Sequence, residues 1–286
     1  MFQFRRGLAL ATPALLLTVI LGVVPLAVIV VWSFWAWDPA TYWIRPDLSL
    51  AAYEQIGDVG RWRVILTSLL KAGLAAILCL LAGYPAALAI HFVASRRMAL
   101  VLIGAFTVPF FTSYLIRAFS WRLVLGRTGL INTWLEWLGV ISEPLDWLLF
   151  SDFAVMVGLV ASYLPFVIFP ILLSLRRVEP GFLAASQDLG AGFLRTLFTV
   201  IIPLTKPGIF AGFLFVFVMS AGSSTEVQML GGAGASMISI MINDVMRVVN
   251  FPLAFAISTV VLVVLVGAVL AGNVKFGLTR LFEDYR

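Results

Sequence analysis

The feature that most constrains this chain is a series of long apolar segments without a charged residue. Hydrophobic residues make up 62% of the 286 residues and charged residues only 12%, about half the charged share of an ordinary globular protein. A helix of roughly 20 apolar residues crosses the hydrocarbon core of a bilayer. We therefore predict an all-α integral membrane protein with six transmembrane helices. The six uncharged segments are Gly7–Trp37, Ala72–Ile90, Met98–Ile116, Phe153–Leu175, Pro207–Thr225 and Val248–Val274.

The first segment is predicted to remain as a membrane helix. Gly7–Trp37 is longer than the apolar region of about 7–15 residues in a signal peptide. It ends in Trp32, Trp35 and Trp37, and tryptophan is enriched where a membrane meets water. The second helix is expected to start near Val64. Because the long segments show no period-two alternation, we expect no sheet or barrel.

The distribution of charge predicts the orientation of the chain. If the N-terminus is inside, the inner segments hold eleven basic and four acidic residues. The outer segments then hold seven basic and ten acidic residues, with Lys71 near the boundary. Cytoplasmic segments are enriched in Lys and Arg, so both termini are predicted to be cytoplasmic. We expect three parts: residues 1–63 (first helix and outer loop), 64–276 (a core of five helices) and 277–286 (a cytoplasmic tail).

The core is expected to contain one long cytoplasmic loop, residues 176–206. Glu179 and Pro180 resemble a helix start, and Gly190 permits a turn at which a side chain would clash. We predict a short helix, a break at Gly190 and a second short helix. Prolines then lead into the next span. A loop of this length exceeds what a connection between spans needs, which indicates a function.

Several kinds of chemistry are excluded by the composition. None of the three lysines is followed by Ser or Thr, so no Walker A sequence exists and the chain is not expected to hydrolyse ATP. One His and one Cys make a metal site improbable, and no nucleophile and base form a catalytic set. We expect no catalytic residue, no metal, no cofactor bound by this chain, and no nucleic-acid partner, since no basic stripe interleaves with aromatics.

Two acidic residues, Glu226 and Asp244, lie near membrane depth around a glycine-rich turn. A carboxylate in a membrane is costly and is a candidate for function; a solvated loop is the other interpretation, and both stay open. If the solute is cationic, acidic and aromatic residues would form its passage and attract it by charge and by cation–π contacts. The residues assigned to that pathway are Glu226, Asp244, Tyr114, Trp121, Tyr163 and Phe166.

The polar loop resembles a known signature. Ala184–Gly190 reads Ala-Ala-Ser-Gln-Asp-Leu-Gly, and Pro203 follows thirteen residues after Gly190. This is similar to the EAA loop, Glu-Ala-Ala-x₃-Gly-x₉-Ile-x-Leu-Pro, of permeases in binding-protein-dependent ABC importers. The chain differs from that pattern at Ala184, where the family has glutamate, and at Ser186, where it has the second alanine.

Other segments are similar to the spermidine/putrescine permeases within that family, and together the resemblance covers roughly residues 60–275. Several of these segments recur in relatives that carry aminoethylphosphonate, opines, thiamine or ferric iron, so the solute stays open between these and polyamines. The matching segments are Val108–Arg117, Gly129–Asn132, Tyr163–Phe166, Met229–Gly232 and Asn250–Ala254.

The resemblance implies a type I ABC importer (MetI-like) transmembrane domain in the bacterial cytoplasmic (inner) membrane, with lipid around it. Its implied partners are a second permease, identical or different, two ABC ATPases that bind ATP and Mg²⁺, and a periplasmic or lipoprotein solute-binding protein. The loop would form a coupling helix that docks in a groove of the ATPase. With Ala184 in place of glutamate, we expect this contact to depend mainly on packing. The implied coupling residues are Phe182, Leu183, Ala184, Ala185, Asp188, Leu189, Gly190 and Pro203.

An autonomous secondary transporter or channel is the alternative from another class. Such proteins carry charged relays within their spans or inverted repeats. Neither feature is evident in this sequence. The importer permease is therefore the interpretation that we carry to the structure.

Overall fold

The computed structural model describes residues 12–232 and 235–276, without the side chains of Val59, Phe110, Lys275 and Phe276. Arg5, Arg6 and the predicted tail 277–286 lie outside the described residues. The helices are α1 Thr12–Trp32, α2 Ala51–Ile56, α3 Val59–Leu88, α4 Arg96–Phe111, α5 Tyr114–Leu125, α6 Leu130–Trp137, α7 Asp152–Tyr163, α8 Pro165–Leu175, α9 Pro180–Asp188, α10 Phe193–Ala221, α11 Thr225–Leu230, α12 Ile238–Arg247 and α13 Phe251–Phe276.

Among the described residues, four helices are long and apolar enough to cross a membrane: α1, α3 with its extension to Val93, α10 and α13. Two bent pairs of helices raise the number to six if each pair is one span. In the first pair, α4 meets the segment Tyr114–Trp137 (α5 and α6) at a bend of 96°. In the second pair, α7 meets α8 at a bend of 41°. The predicted helical membrane architecture is confirmed, whereas the count of six and the cytoplasmic termini stay predictions. The second span begins at Val59, earlier than Val64.

Proline accounts for several irregularities in these helices. The bend between α7 and α8 falls at Leu164, directly before Pro165, as expected for a residue that lacks an N–H and clashes with the preceding turn. The widened turn Leu197–Ile201 comes shortly before Pro203. Such π-turns accommodate a break in the regular hydrogen-bond ladder. The helix therefore continues through Pro203.

Two predicted boundaries were wrong. The third segment, Met98–Ile116, is interrupted where Thr112 takes an extended conformation. The second short helix of the loop is the first part of α10, which runs without interruption from Phe193 and ends before Thr225. The helix is continuous because the π-turn Leu197–Ile201 accommodates Pro203, which has no N–H to donate. Residues 193–206 are therefore part of a long helix.

One compact unit contains residues up to Arg63 together with Met241–Val264. It holds a two-stranded antiparallel hairpin, β1 Trp35–Asp38 and β2 Trp43–Leu48, with an irregularity after Trp35. The expectation that the chain has no sheet was wrong here. These strands have only 4 and 6 residues. A search for apolar segments of about 20 residues does not detect alternation of apolar and polar residues over so short a length.

Asp38 closes the hairpin. Its carboxylate accepts hydrogen bonds from the Ala40 N–H (3.0 Å) and the Thr41 hydroxyl (2.9 Å) and pairs with Arg45. The Ala40 N–H first, then Thr41 and Arg45, hold the pKa of Asp38 below its usual range because each interaction favours the charged form. The turn is thereby fixed by a charged side chain.

The second unit contains Val64–Ile240 and the residues from Leu265 onward. Its main contact joins α8 and α10, and two glycines one turn apart permit the close approach. A Cβ on Gly208 would lie 2.5 Å from the Pro170 carbonyl oxygen, and one on Gly212 would lie 3.0 Å from the Val167 Cα. Small residues four apart are a common device for packing membrane helices. This spacing is visible in the sequence, but our sequence analysis missed it.

Two apolar clusters fill the same unit. One surrounds Val167, Ile168 and Ile171 of α8, and the single cysteine, Cys79, is fully buried in it. The other surrounds Leu159 of α7 and Leu230 of α11. Because lipid is as apolar as these side chains, van der Waals packing rather than transfer from water holds them together.

Candidate functional site

The segment Pro180–Ala191 has the short helix and the glycine turn that the sequence predicts. Proline occupies the first position of α9. At its end Gly190 takes a left-handed conformation with φ +73°. The Gly190 N–H donates to the Gln187 carbonyl (2.8 Å) and the Ala191 N–H donates to the Ser186 carbonyl (3.0 Å). These two bonds form a Schellman motif, which satisfies carbonyls at the end of a helix and favours glycine at this position.

One face of α9 is apolar and exposed. Phe182, Ala185 and Leu189 are spaced at three and four residues, which places them on the same side of a helix, and Leu189 is 85% exposed. They line a groove of about 370 Å³ beside α10, to which Arg195 and Thr199 also contribute. A protruding apolar face beside a groove is a surface that can receive a partner.

The other predicted coupling residues lie in different places. Leu183 packs against the apolar cluster around α8. Ala184 and Asp188 are exposed and do not line the groove, and Pro203 is exposed within α10. The structure therefore brings Phe182, Ala185 and Leu189 to one surface and assigns the remaining residues to its support or its surroundings. Whether they contact an ATPase stays a prediction.

Ser186 is a feature of this segment whose role the sequence analysis missed. Its side chain is buried, and its Oγ lies 2.8 Å from the Thr196 Oγ1 at the start of α10. In the sequence, Ser186 appeared only as a departure from the second alanine of the EAA pattern. That departure was itself a signal, because a hydroxyl has a donor and an acceptor that an alanine lacks.

A second cavity brings together three of the aromatic residues predicted for a solute pathway. Tyr114 of α5, Tyr163 of α7 and Phe166 of α8 line a cleft of about 500 Å³. Trp121 does not line this cleft and packs against the apolar cluster around α7 instead. Three of the four aromatic residues thus line one cleft, and Trp121 lies outside it.

Arg117 also lines this cleft, and the sequence analysis did not assign it a role. Its Nη1 donates to the Pro109 carbonyl oxygen (2.6 Å), close to the end of α4. Carbonyls in the last turn of a helix lack partners within the helix, and a cation complements the negative end of its dipole. The Arg117 Nε is buried and has no hydrogen-bond partner among the described residues.

Glu226 is buried, with 4% of its surface exposed, so the interpretation as a solvated loop residue was wrong. It lies on α11, accepts a hydrogen bond from the Ser223 hydroxyl and packs beside Gly158 of α7. Tyr163 packs against the apolar cluster to which Val227 and Leu230 of α11 belong. The helix that carries Glu226 therefore lies close to the wall of the aromatic cleft.

Asp244 has a different environment. Its carboxylate is exposed and lies 3.7 Å from the Arg247 guanidinium on the same helix. A surface ion pair of this kind contributes little to stability. The interpretation as a solvated residue fits Asp244 better than Glu226.

Asn132 and Gly129 have structural roles in the segment Gly129–Asn132. Its buried side-chain amide donates to the Gly126 and Leu145 carbonyls, and its carbonyl accepts from the Leu145 N–H. At Gly129 a Cβ would lie 2.5 Å from the Leu123 carbonyl oxygen. The segment closes the loop between α5 and α7 through the Asn132 hydrogen bonds and the close approach at Gly129.

We expect Asn132→Leu to destabilise the protein by about 1–3 kcal/mol for each buried backbone group left without a partner. Thermal unfolding can be followed by a thiol-reactive dye, because Cys79 is buried and is the only cysteine. The neighbouring exposed Thr133→Val is the matched control. An unchanged unfolding temperature for Asn132→Leu would contradict this role.

Comparison with known proteins defines the class. Residues 79–280 match the family described as the inner membrane component of binding-protein-dependent transport systems. The chain belongs to this family, whose members are membrane-spanning permease subunits of ABC transporters and not enzymes themselves. It is thus a multi-pass protein of the inner membrane.

Individual relatives are consistent with this. The chain is 35% identical over 218 residues to the spermidine/putrescine transport system permease protein PotB of Escherichia coli K12, which covers 76% of each chain. It is 32% identical over 236 residues to PotB of Haemophilus influenzae, which covers 82% of each. A solved bacterial alginate ABC transporter in complex with an alginate-bound periplasmic protein has the same fold (17% identity, TM-score 0.71, 96% of each chain).

Proposed function

We propose that this chain is a transmembrane subunit of an ATP-driven importer and is moved by an ATPase bound to α9. The observation that carries this proposal is the exposed apolar face of Phe182, Ala185 and Leu189, ended by the Gly190 turn, in a chain of the permease family. Since the sequence has no Walker A lysine, the motor belongs to another subunit. Two such ATPases would bind ATP and Mg²⁺.

The importer would contain a second permease, identical to this chain or different, and an extracytoplasmic solute-binding protein. The chain would cross the membrane six times with both termini in the cytoplasm, which places α9 on the side of the ATPase. ATP binding can shift such an assembly only by its different affinity for the two states. A full reversal of their populations requires about 5.5 kcal/mol.

Polyamines are the solutes that we propose. The relatives at 35% and 32% identity are named for spermidine and putrescine transport. Tyr114, Tyr163 and Phe166 line the cleft, and Tyr163 packs against the cluster that includes residues of α11, the helix that carries Glu226. Aromatic faces attract ammonium groups by about 0.5–2 kcal/mol, and a buried carboxylate attracts them more strongly because it is screened less.

A solute with an anionic group is a second candidate, and Arg117 favours it. Arg117 lines the same cleft, and its buried Nε has a hydrogen without an acceptor among the described residues. Aminoethylphosphonate carries both an ammonium and a phosphonate, which would suit Glu226 and Arg117 together. Calorimetric titration of the cognate binding protein with putrescine, spermidine and aminoethylphosphonate separates the two candidates.

We expect Glu226→Gln to lower polyamine uptake about tenfold, because the loss of a charged contact of about 1.5–3 kcal/mol changes binding by at least that factor. Gln keeps the shape of the side chain and a partner for Ser223. Asp244→Asn should have a smaller effect, since the charge there is exposed and close to Arg247.

Uptake of radiolabelled putrescine by vesicles that contain the complete importer measures both variants. The amount of assembled complex is the control for folding. If neither substitution changes uptake, the proposed pathway is wrong.

A further inference from the structure

The contact between α9 and α10 contains one buried polar pair. Ser186 is the only buried residue of α9, and Thr196 is buried one turn into α10. Their hydroxyl oxygens are 2.8 Å apart, and the two residues are 8% and 7% exposed. A buried hydroxyl without a partner costs free energy, so neither residue can move away from the other without a penalty.

The rest of this contact is apolar, since Leu183 of α9 and Leu197 of α10 pack against the same cluster. The groove between Phe182 and Thr199, which Ser186 also lines, lies on the exposed side of the two helices. Apolar surfaces can slide along each other at little cost, because their attraction has no direction. A hydrogen bond depends steeply on distance and angle, so the pair Ser186–Thr196 holds the register of α9 on α10.

We propose that the hydrogen bond between Ser186 and Thr196 is the link that transmits displacement of α9 to the membrane helix α10. Ser186 and Thr196 are positioning residues in this account. The inference rests on the proposed function, since it requires that an ATPase moves α9. It adds which side chains convert that movement into movement of a span.

A second hydroxyl pair extends the connection. Thr205 lies nine residues beyond Thr196, about 13.5 Å along the helix axis. Its Oγ1 donates to the Ile201 carbonyl (2.8 Å) and is 3.0 Å from the Tyr84 hydroxyl of α3. A hydroxyl has one hydrogen to donate, so Tyr84 is the donor to Thr205. The pair joins α10 to α3 shortly after the π-turn Leu197–Ile201.

The test compares Ser186→Ala, Thr196→Val and the double variant in reconstituted complexes with both ATPases and the binding protein. We expect each single variant to lower the amount of radiolabelled spermidine imported per ATP hydrolysed at least threefold, with the ATPase still bound. The double variant should show no larger loss than either single variant, because the three lack the same bond. Thr196→Ser keeps the hydroxyl, so its ratio of imported spermidine to hydrolysed ATP should equal that of the wild type.

Thr18→Val is the matched control. Thr18 is exposed on α1, outside the groove, and its hydroxyl donates to the Ala14 carbonyl within that helix, so the ratio should equal that of the wild type. Unchanged ratios in Ser186→Ala and Thr196→Val would overturn the inference, as would losses that add in the double variant or complexes that fail to assemble. If the ATPase does not bind even the wild-type chain, the proposed function itself fails.

Discussion

Gly190→Pro is expected to abolish solute uptake while the protein still inserts in the membrane. Proline fixes φ near −65°, whereas Gly190 has φ +73°. The substitution also removes the N–H that donates to the Gln187 carbonyl. The turn after α9 therefore cannot form, and Leu189 leaves its position beside Phe182. ATP hydrolysis by the partner would continue without transport, measured as phosphate release and labelled solute uptake in the same vesicles.

Gly192→Ala is the control for this variant. Gly192 has φ −73°, which any residue adopts, and a Cβ there has open space around it. Gly190→Ala should be intermediate, because a Cβ in the left-handed region costs about 1–2 kcal/mol without a clash at this site. Normal coupled uptake by Gly190→Pro would refute the role of the turn.

A bulky residue at Gly208 is expected to prevent assembly of a stable protein. A Cβ at this position would lie 2.2 Å from the Ser174 Oγ and 2.5 Å from the Pro170 carbonyl oxygen. The backbone oxygen cannot move aside without separating α8 from α10. Overpacking of this kind costs about 1–3 kcal/mol or more, so Gly208→Leu should leave little monodisperse protein after detergent extraction.

Gly208→Ala tests the same contact more gently. It should lower the temperature at which the dye reaches Cys79, which is buried against α8 in the same cluster. Gly267→Ala is the matched control, since Gly267 lies in the apolar helix α13 with open space at its Cβ position. Equal unfolding temperatures for the two variants would mean that α8 and α10 do not depend on this close approach.

Local chemistry explains which parts of the fold are predictable from sequence. Gly190 and Pro180 specify a turn and a helix start by their own backbone preferences, and both appear where predicted. Uncharged segments reveal membrane helices because a helix crosses a bilayer when it is both long and apolar enough. The resemblance to the EAA loop added the function of the segment, which its local chemistry does not contain.

The unpredicted features depend on contacts between distant residues. Glu226 is buried on α11 beside Gly158 of another helix, and Ser223 donates a hydrogen bond to it. The sequence around Glu226 does not show which helix will pack against it. The same holds for Ser186, whose partner Thr196 lies beyond the glycine turn.

The course of α10 was missed for a further reason. Pro203 normally argues against a continuous helix, and the sequence alone does not show that the π-turn Leu197–Ile201 accommodates it. The hairpin was missed because single side chains such as Asp38 hold its turn, and no pattern along the strands indicates it. Short elements held by individual contacts are the least visible in sequence.

The central claim is that the exposed face of α9 is where an ATPase acts on this chain. Leu189→Cys places an accessible thiol on that face, and the only native cysteine, Cys79, is buried. The matched control is Leu81→Cys, at another exposed leucine on α3. After labelling with benzophenone maleimide and illumination of the complete importer, we predict a cross-link to the ATPase from position 189 and none from position 81. Absence of the cross-link at 189 in an assembled, transporting complex would contradict the account.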